Sequence, residues 1–154
     1  MCCDITQSES TAEEDRKVSK EIGEICAQYG ADSVKNLTTE VTTNKAFCAF
    51  QCAFEKLKMA DGEGNIMVEH SKEFIRLFYG FEDETVTQKI AELCPSRSKE
   101  AVTKLGGQYV CNGQSFYYVL CGYDVVNQYC ADDKQVQGER CDRYREKLQQ
   151  SFQE

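Results

Sequence analysis

The pentapeptide Cys48-Ala49-Phe50-Gln51-Cys52 places two cysteines four residues apart in a segment with helical periodicity. Residues i and i+4 of an α-helix lie on the same face, one turn apart. Two thiols in this arrangement are poorly placed to bond to each other, but each can bond to a different neighbouring segment. The stretch therefore predicts a central helix that disulfides attach to the rest of the chain on two sides.

The cysteine content extends this prediction to the whole chain. Ten cysteines occur in 154 residues, a density typical of disulfide-rich domains that fold in an oxidising compartment. A structural zinc site needs a second short cysteine pair or several histidines, and His70 is the single histidine. The sequence has no Cys-x-x-Cys redox motif. We therefore expect a secreted, disulfide-bonded protein without a metal. The sequon Asn36-Leu37-Thr38 agrees with secretion.

Composition and length limit the partners. The formal net charge is −8, from 18 Lys and Arg against 26 Asp and Glu. Nucleic acid binding depends on clustered Lys and Arg, so we expect no nucleic acid partner. No apolar run is long enough to cross a membrane, and no segment resembles a signal peptide. We expect a mature, monomeric chain that forms one domain over residues 1–154.

Apolar residues recur at helical spacing through most of the chain. The spacing predicts helices over residues 10–30, 44–59, 68–81, 83–94, 98–105, 114–129 and 139–152, with a short helical piece at 33–37. Asn44 is predicted to cap its helix, and Pro95 to end the helix that precedes it. Residues 1–9 are predicted to form an irregular arm. The predicted fold is an all-α bundle of six to eight helices.

The residue patterns of common catalytic and ion sites are absent. The loop over residues 61–65 contains two glycines, but His70 stands where a calcium loop has its bidentate Glu. His70 has no evident catalytic partner, and thiols in disulfides are not nucleophiles. The loop glycines follow a helix rather than a strand, unlike those of a phosphate-binding loop. We therefore expect a binding protein that is not an enzyme and has no cofactor.

Three stretches of the chain resemble the insect odorant-binding protein family. They are residues 48–57 (Cys-x3-Cys-Ala-Phe-Glu-Lys-Leu), 61–69 (Asp-Gly-Glu-Gly-Asn-Ile-Met-Val-Glu) and 116–124 (Phe-Tyr-Tyr-Val-Leu-Cys-Gly-Tyr-Asp). Cys26 and Cys94 stand where the family has its first and fourth cysteines. The resemblance covers residues 15–130 and implies a helical bundle around a small-ligand cavity.

The resemblance also implies a disulfide pattern: Cys26–Cys52, Cys48–Cys111 and Cys94–Cys121. This pattern takes residues 111 and 121 as the family's last two cysteines, with nine residues between them where the family has eight. The alternative, residues 121 and 130, has the family's spacing between the last two cysteines but makes the interval between the fourth and fifth cysteines far too long. The remaining cysteines are Cys2, Cys3, Cys130 and Cys141. Adjacent cysteines seldom bond to each other, so at least one of the first two is predicted to reach one of the last two.

The C-terminal extension, residues 122–154, resembles the short-form salivary relatives of this family in blood-feeding flies. That likeness implies a carrier that traps a host mediator, either a biogenic amine or a bioactive lipid. An antennal odorant or pheromone carrier is the alternative, although such proteins usually have a Pro beside the sixth cysteine, which is absent here. A third reading is a salivary protein–protein antagonist, for example of clotting, with a collapsed cavity. A cavity above roughly 300 Å³ would favour a carrier.

Candidate ligand-binding residues are aromatic rings that could line a cavity and carboxylates that could pair with an amine. A buried ammonium without a partner costs several kcal/mol, so an amine carrier needs such carboxylates. A fatty acid would instead need a cation at the mouth, such as Arg76 or Lys104. The candidates are Tyr29, Phe47, Phe50, Phe54, Phe74, Phe78, Tyr117, Tyr118, Asp124 and Asp133.

Overall fold

The computed structural model of the chain describes residues 1–4, 9–30, 39–79 and 83–153. Within these ranges there are two 3₁₀ helices, Val68–His70 and Asp132–Lys134, and no strand. The six α-helices are α1 (Glu9–Gly30), α2 (Thr39–Lys56), α3 (Ser71–Tyr79), α4 (Glu84–Leu105), α5 (Gln114–Gln128) and α6 (Glu139–Gln153). The predicted all-α fold is confirmed. The predicted helical piece at 33–37 and the Asn36 sequon lie outside the described residues.

The N-terminal end of α2 differs from the prediction. The helix begins at Thr39, so Asn44 lies in its second turn and not at its cap. The Asn44 side-chain oxygen instead accepts a hydrogen bond of 2.7 Å from the backbone N–H of Val110, in the loop before α5. The capping prediction was wrong because asparagine can also bond to backbone that is distant in sequence, which a local signal does not reveal.

Helix α4 passes through Pro95, where it was predicted to end. Proline lacks the N–H that would bond to the preceding turn. On both sides of it, however, α4 buries a stripe of side chains at i, i+4 and i+8, namely Ile90, Cys94 and Ser98, each 0% exposed. The Ser98 hydroxyl donates a 2.9 Å hydrogen bond to the Pro95 carbonyl. The two predicted helices over 83–94 and 98–105 are therefore one, because burial of this stripe outweighs the missing hydrogen bond.

Five disulfides connect the described elements, and no described cysteine is free. Three of them join α1 to α2, α2 to the loop before α5, and α4 to α5: Cys26–Cys52, Cys48–Cys111 and Cys94–Cys121. These are the three pairings that the resemblance implies.

The other two disulfides attach the N-terminal residues to the C-terminal part of the chain. Cys2 bonds to Cys141 in α6, and Cys3 bonds to Cys130, just after α5. Both adjacent cysteines thus have distant partners, which confirms the prediction that at least one of them does. The main-chain N–H of Cys2 also donates to the side chain of Asn127, which is fully buried, at 2.6 Å.

The core lies where α2, α3, α4 and α5 meet. Phe54, Phe74 and Tyr118 are fully buried there, with ring centroids 4.8 to 5.7 Å apart. The hydroxyl of Tyr79 donates a 2.7 Å hydrogen bond to the carbonyl of Val119 in α5. This close approach requires glycine at position 122, where a Cβ would overlap the tyrosine hydroxyl. None of the described helices has the length and apolar content to span a membrane.

Candidate functional site

A cavity of about 470 Å³ lies between α1, α2 and α3. Small-molecule sites typically have volumes of roughly 300–1,000 Å³, so this cavity is large enough for a ligand. Its wall consists of Ser19, Ile22, Gly23, Cys26, Ala27, Ala49, Phe50, Ala53, Leu57, Leu77 and Phe78.

The sequence explains why space remains between these helices. The α1 residues of the wall are spaced i, i+3, i+4, i+7 and i+8, so they form one face of that helix. Several of the facing residues are small, including Gly23, Ala27, Ala49 and Ala53. The disulfide between α1 and α2 holds its two Cα atoms 5.8 Å apart, which limits how the helices can move to close the gap. A Cβ added at Gly23 would meet no atom within 4 Å.

The described residues of the wall are apolar and uncharged. Among them the hydroxyl of Ser19 is the one polar side-chain group, and none is an acid or a base. Two residues next to the wall in the sequence form an ion pair: the Nε of Arg76 is 3.2 Å from a carboxylate oxygen of Asp15. Arg76 directly precedes Leu77 in α3, and Asp15 lies one turn before Ser19 in α1. Asp15 is 5% exposed, so this pair links α1 to α3 largely out of solvent. The arrangement suits an apolar ligand.

Four of the predicted aromatic residues lie at or directly behind this wall. Phe50 and Phe78 line the cavity. Phe54 and Phe74 are fully buried and pack against Phe78, with ring centroids 6.2 and 4.6 Å away. They form the layer behind the wall and do not line the space itself.

The other predicted rings lie elsewhere. Phe47 packs with Phe116 and Tyr117 in a second aromatic cluster, at centroid distances of 5.7 and 6.0 Å. Tyr118 belongs to the core, with its hydroxyl 3.5 Å from that of Ser71; burial raises the pKa of Tyr118, so the hydroxyl stays protonated. Tyr29 is 42% exposed near the end of α1. None of these residues is part of the cavity wall.

The predicted carboxylates are also distant from this wall. Asp124, in α5, accepts a hydrogen bond from the hydroxyl of Tyr144 in α6, and burial raises the pKa of this carboxyl. Asp133 is exposed in the second 3₁₀ helix. Lys104, one of the two cations considered for a fatty acid, is exposed and pairs with Glu100 at 2.8 Å. The described residues of the cavity wall therefore include no partner for a buried ammonium.

Sequence reasoning missed the α1 side of the cavity. Ile22, Gly23 and Ala27 form that side, and Leu77 contributes from α3. The signal that could have revealed it was Gly23, in the interior of α1. A glycine weakens a helix at such a position, so its presence indicates that the missing side chain leaves space that the structure needs. Among the described residues, no group of three or more His, Cys, Asp or Glu is arranged to hold a metal ion.

Comparison with protein-family models gives one match: the PBP/GOBP family model matches residues 8–125. Comparison with curated proteins and with solved structures gives no match. Members of the matched family are small-molecule-binding carriers rather than enzymes, and they are typically secreted. The match spans most of the chain and includes all three helices that form the cavity. The chain therefore belongs to the PBP/GOBP family, the insect odorant-binding superfamily.

Proposed function

We propose that the protein is a secreted carrier that binds a lipid mediator in the cavity between α1, α2 and α3 and so removes it from solution. The observation that carries this proposal is a 470 Å³ space whose described wall residues contribute one hydroxyl and no charged group. Such a carrier acts stoichiometrically, so its abundance and affinity set its effect. We further propose that it works as a monomer, with residues 1–154 forming one domain.

The wall favours a lipid over a biogenic amine. An ammonium buried without a carboxylate costs several kcal/mol. Neither Asp124 nor Asp133 lines the cavity. The hydrocarbon chain of a lipid needs no polar partner.

The expected affinity follows from the apolar surface that the ligand buries. Each buried methylene contributes about 0.8 kcal/mol. Since RT is about 0.59 kcal/mol, each added methylene should lower the Kd by up to about fourfold until the cavity is full. Association costs reduce the total but not this increment.

Isothermal titration with saturated fatty acids of increasing length tests the proposal. We expect the Kd to fall with each methylene and then to level off, and we expect no heat from serotonin, histamine or noradrenaline. Binding of these amines without binding of fatty acids would contradict the lipid proposal. Lack of binding by every compound would contradict both the lipid proposal and the biogenic-amine alternative.

Two other functions lead to different observations. The cavity exceeds the roughly 300 Å³ of the smallest ligand sites, which argues against a protein–protein antagonist with a collapsed interior. An antennal odorant or pheromone carrier would use the same cavity. Immunostaining of salivary gland and antenna separates that alternative from a salivary protein that traps a host mediator, which we favour because of the extension over residues 122–154.

A further inference from the structure

Helix α6 carries most of its charges on two faces, with Arg145 on neither. With 3.6 residues per turn, Arg140, Arg143 and Lys147 fall within an arc of about 60°. The three acidic residues at 139, 142 and 146 fall within a second arc, on the other side of Arg143. In a chain with a net charge of −8, this basic face is a local reversal of sign.

A second cavity, of about 570 Å³, lies beside this basic face. Its wall includes all three cations, the Cys2–Cys141 disulfide and two tyrosines, Tyr123 from α5 and Tyr144 from α6. The tyrosine ring centroids are 6.2 Å apart, with an angle of 47° between the rings. The hydrogen bond from Tyr144 to Asp124 fixes the position of one ring. The site thus combines positive charge with a firmly held aromatic surface.

Neighbouring acids neutralise only part of this charge. Glu139 lies 3.5 Å from Arg143, but both side chains are more than two-thirds exposed, and an exposed pair of this kind is weak. Asp142 pairs with Arg145 instead. Among the described residues, Arg140 and Lys147 form no ion pair. At least two cations are therefore available to a ligand.

We propose that this cavity is a second binding site, for a small molecule that carries a phosphate or sulfate group on an aromatic body. A guanidinium group can donate two parallel hydrogen bonds to such an oxyanion, and a lysine adds a compact positive charge. The tyrosine rings offer an apolar surface to the rest of the ligand. Among the described residues, none lines both this site and the cavity between α1, α2 and α3.

Isothermal titration with phenyl phosphate tests the proposal. Phenol and inorganic phosphate, which are the two halves of phenyl phosphate, are titrated separately for comparison. We expect phenyl phosphate to bind at least tenfold more tightly than either half. The double variant Arg140→Gln/Lys147→Gln should weaken that binding at least tenfold without changing the melting temperature, because both side chains are exposed. Lys99→Gln, which removes an exposed cation from α4, is the matched control and should leave the affinity unchanged.

The site can also be tested separately from the first cavity. Gly23→Phe places a ring in the first cavity and should leave phenyl phosphate binding unchanged. The proposal is overturned if phenyl phosphate does not bind to the parent protein, or if its affinity survives the double substitution. Equal affinities for phenyl phosphate and inorganic phosphate would also overturn it, since the tyrosines would then contribute nothing.

Discussion

Gly23 offers the most direct test of the first cavity. The residue lies in the interior of α1, lines the cavity, and has no atom within 4 Å of the position that a Cβ would occupy. Glycine in a helix interior costs roughly 0.5–1 kcal/mol relative to alanine. Because the new methyl group would enter free space, no steric cost opposes the gain. Gly23→Ala should therefore raise the free energy of unfolding by about 0.5–1 kcal/mol and the melting temperature by about 1–4 °C.

A larger side chain at the same position should act on the ligand. In Gly23→Phe the ring would occupy the cavity, and burial of a phenylalanine side chain contributes up to about 1.5–3 kcal/mol. The variant should be at least as stable as the parent protein. The ring would fill the space that the ligand needs, so we expect the affinity for arachidonic acid to fall at least tenfold.

Thermal unfolding followed by circular dichroism, with isothermal titration of arachidonic acid, measures both effects. Lys20→Phe is the matched control, because it adds the same ring to α1 at a side chain that is 78% exposed. That control should leave the affinity unchanged. If Gly23→Phe binds arachidonic acid as tightly as the parent protein, the space at Gly23 is not the ligand site inferred here. If Gly23→Ala lowers the melting temperature, the space beside Gly23 is not free.

Three further substitutions test the packing, a helix cap and a half-buried carboxyl. Gly122→Ala should lower the free energy of unfolding by about 1–3 kcal/mol, because the methyl group would displace the buried Tyr79 hydroxyl. Gly62→Ala, in an open loop, is the control and should leave the free energy of unfolding unchanged. Equal urea midpoints for the two variants would contradict this reasoning. Asp83 accepts a hydrogen bond at the start of α4, so Asp83→Ala should cost about 1 kcal/mol in urea unfolding, whereas Asp83→Asn should retain most of the stability. Burial raises the pKa of Asp124, so the stability that this group contributes is present at low pH and is lost as the pH rises through its folded-state pKa. Asp124→Asn should therefore be more stable relative to the parent at neutral pH than at low pH, and a pH-independent difference would refute the assignment.

Local signals in the sequence predicted most of the helical structure. The apolar spacing placed α1, α5 and α6 close to their observed limits. Two of the errors, at Asn44 and Pro95, have a common cause. In each case a residue that usually begins or ends a helix lies inside one, because contacts with distant parts of the chain stabilise the helix around it. Such contacts cannot be predicted from the residues near Asn44 or Pro95 in the sequence.

By itself, the sequence determined that this protein is a disulfide-bonded helical bundle with more aromatic rings than the cavity wall uses. Its cysteine spacing was sufficient to indicate the family. Only the tertiary structure decided which rings face open space. Phe50 and Phe78 line the cavity, whereas Phe54 and Phe74 fill the core. The reason is physical: Phe50 and Phe54 lie one turn apart on the same apolar stripe of α2, so the pattern of that helix does not distinguish a ring that packs against neighbours from one that faces a gap. That distinction depends on the opposing helix, where Gly23 leaves the space unfilled.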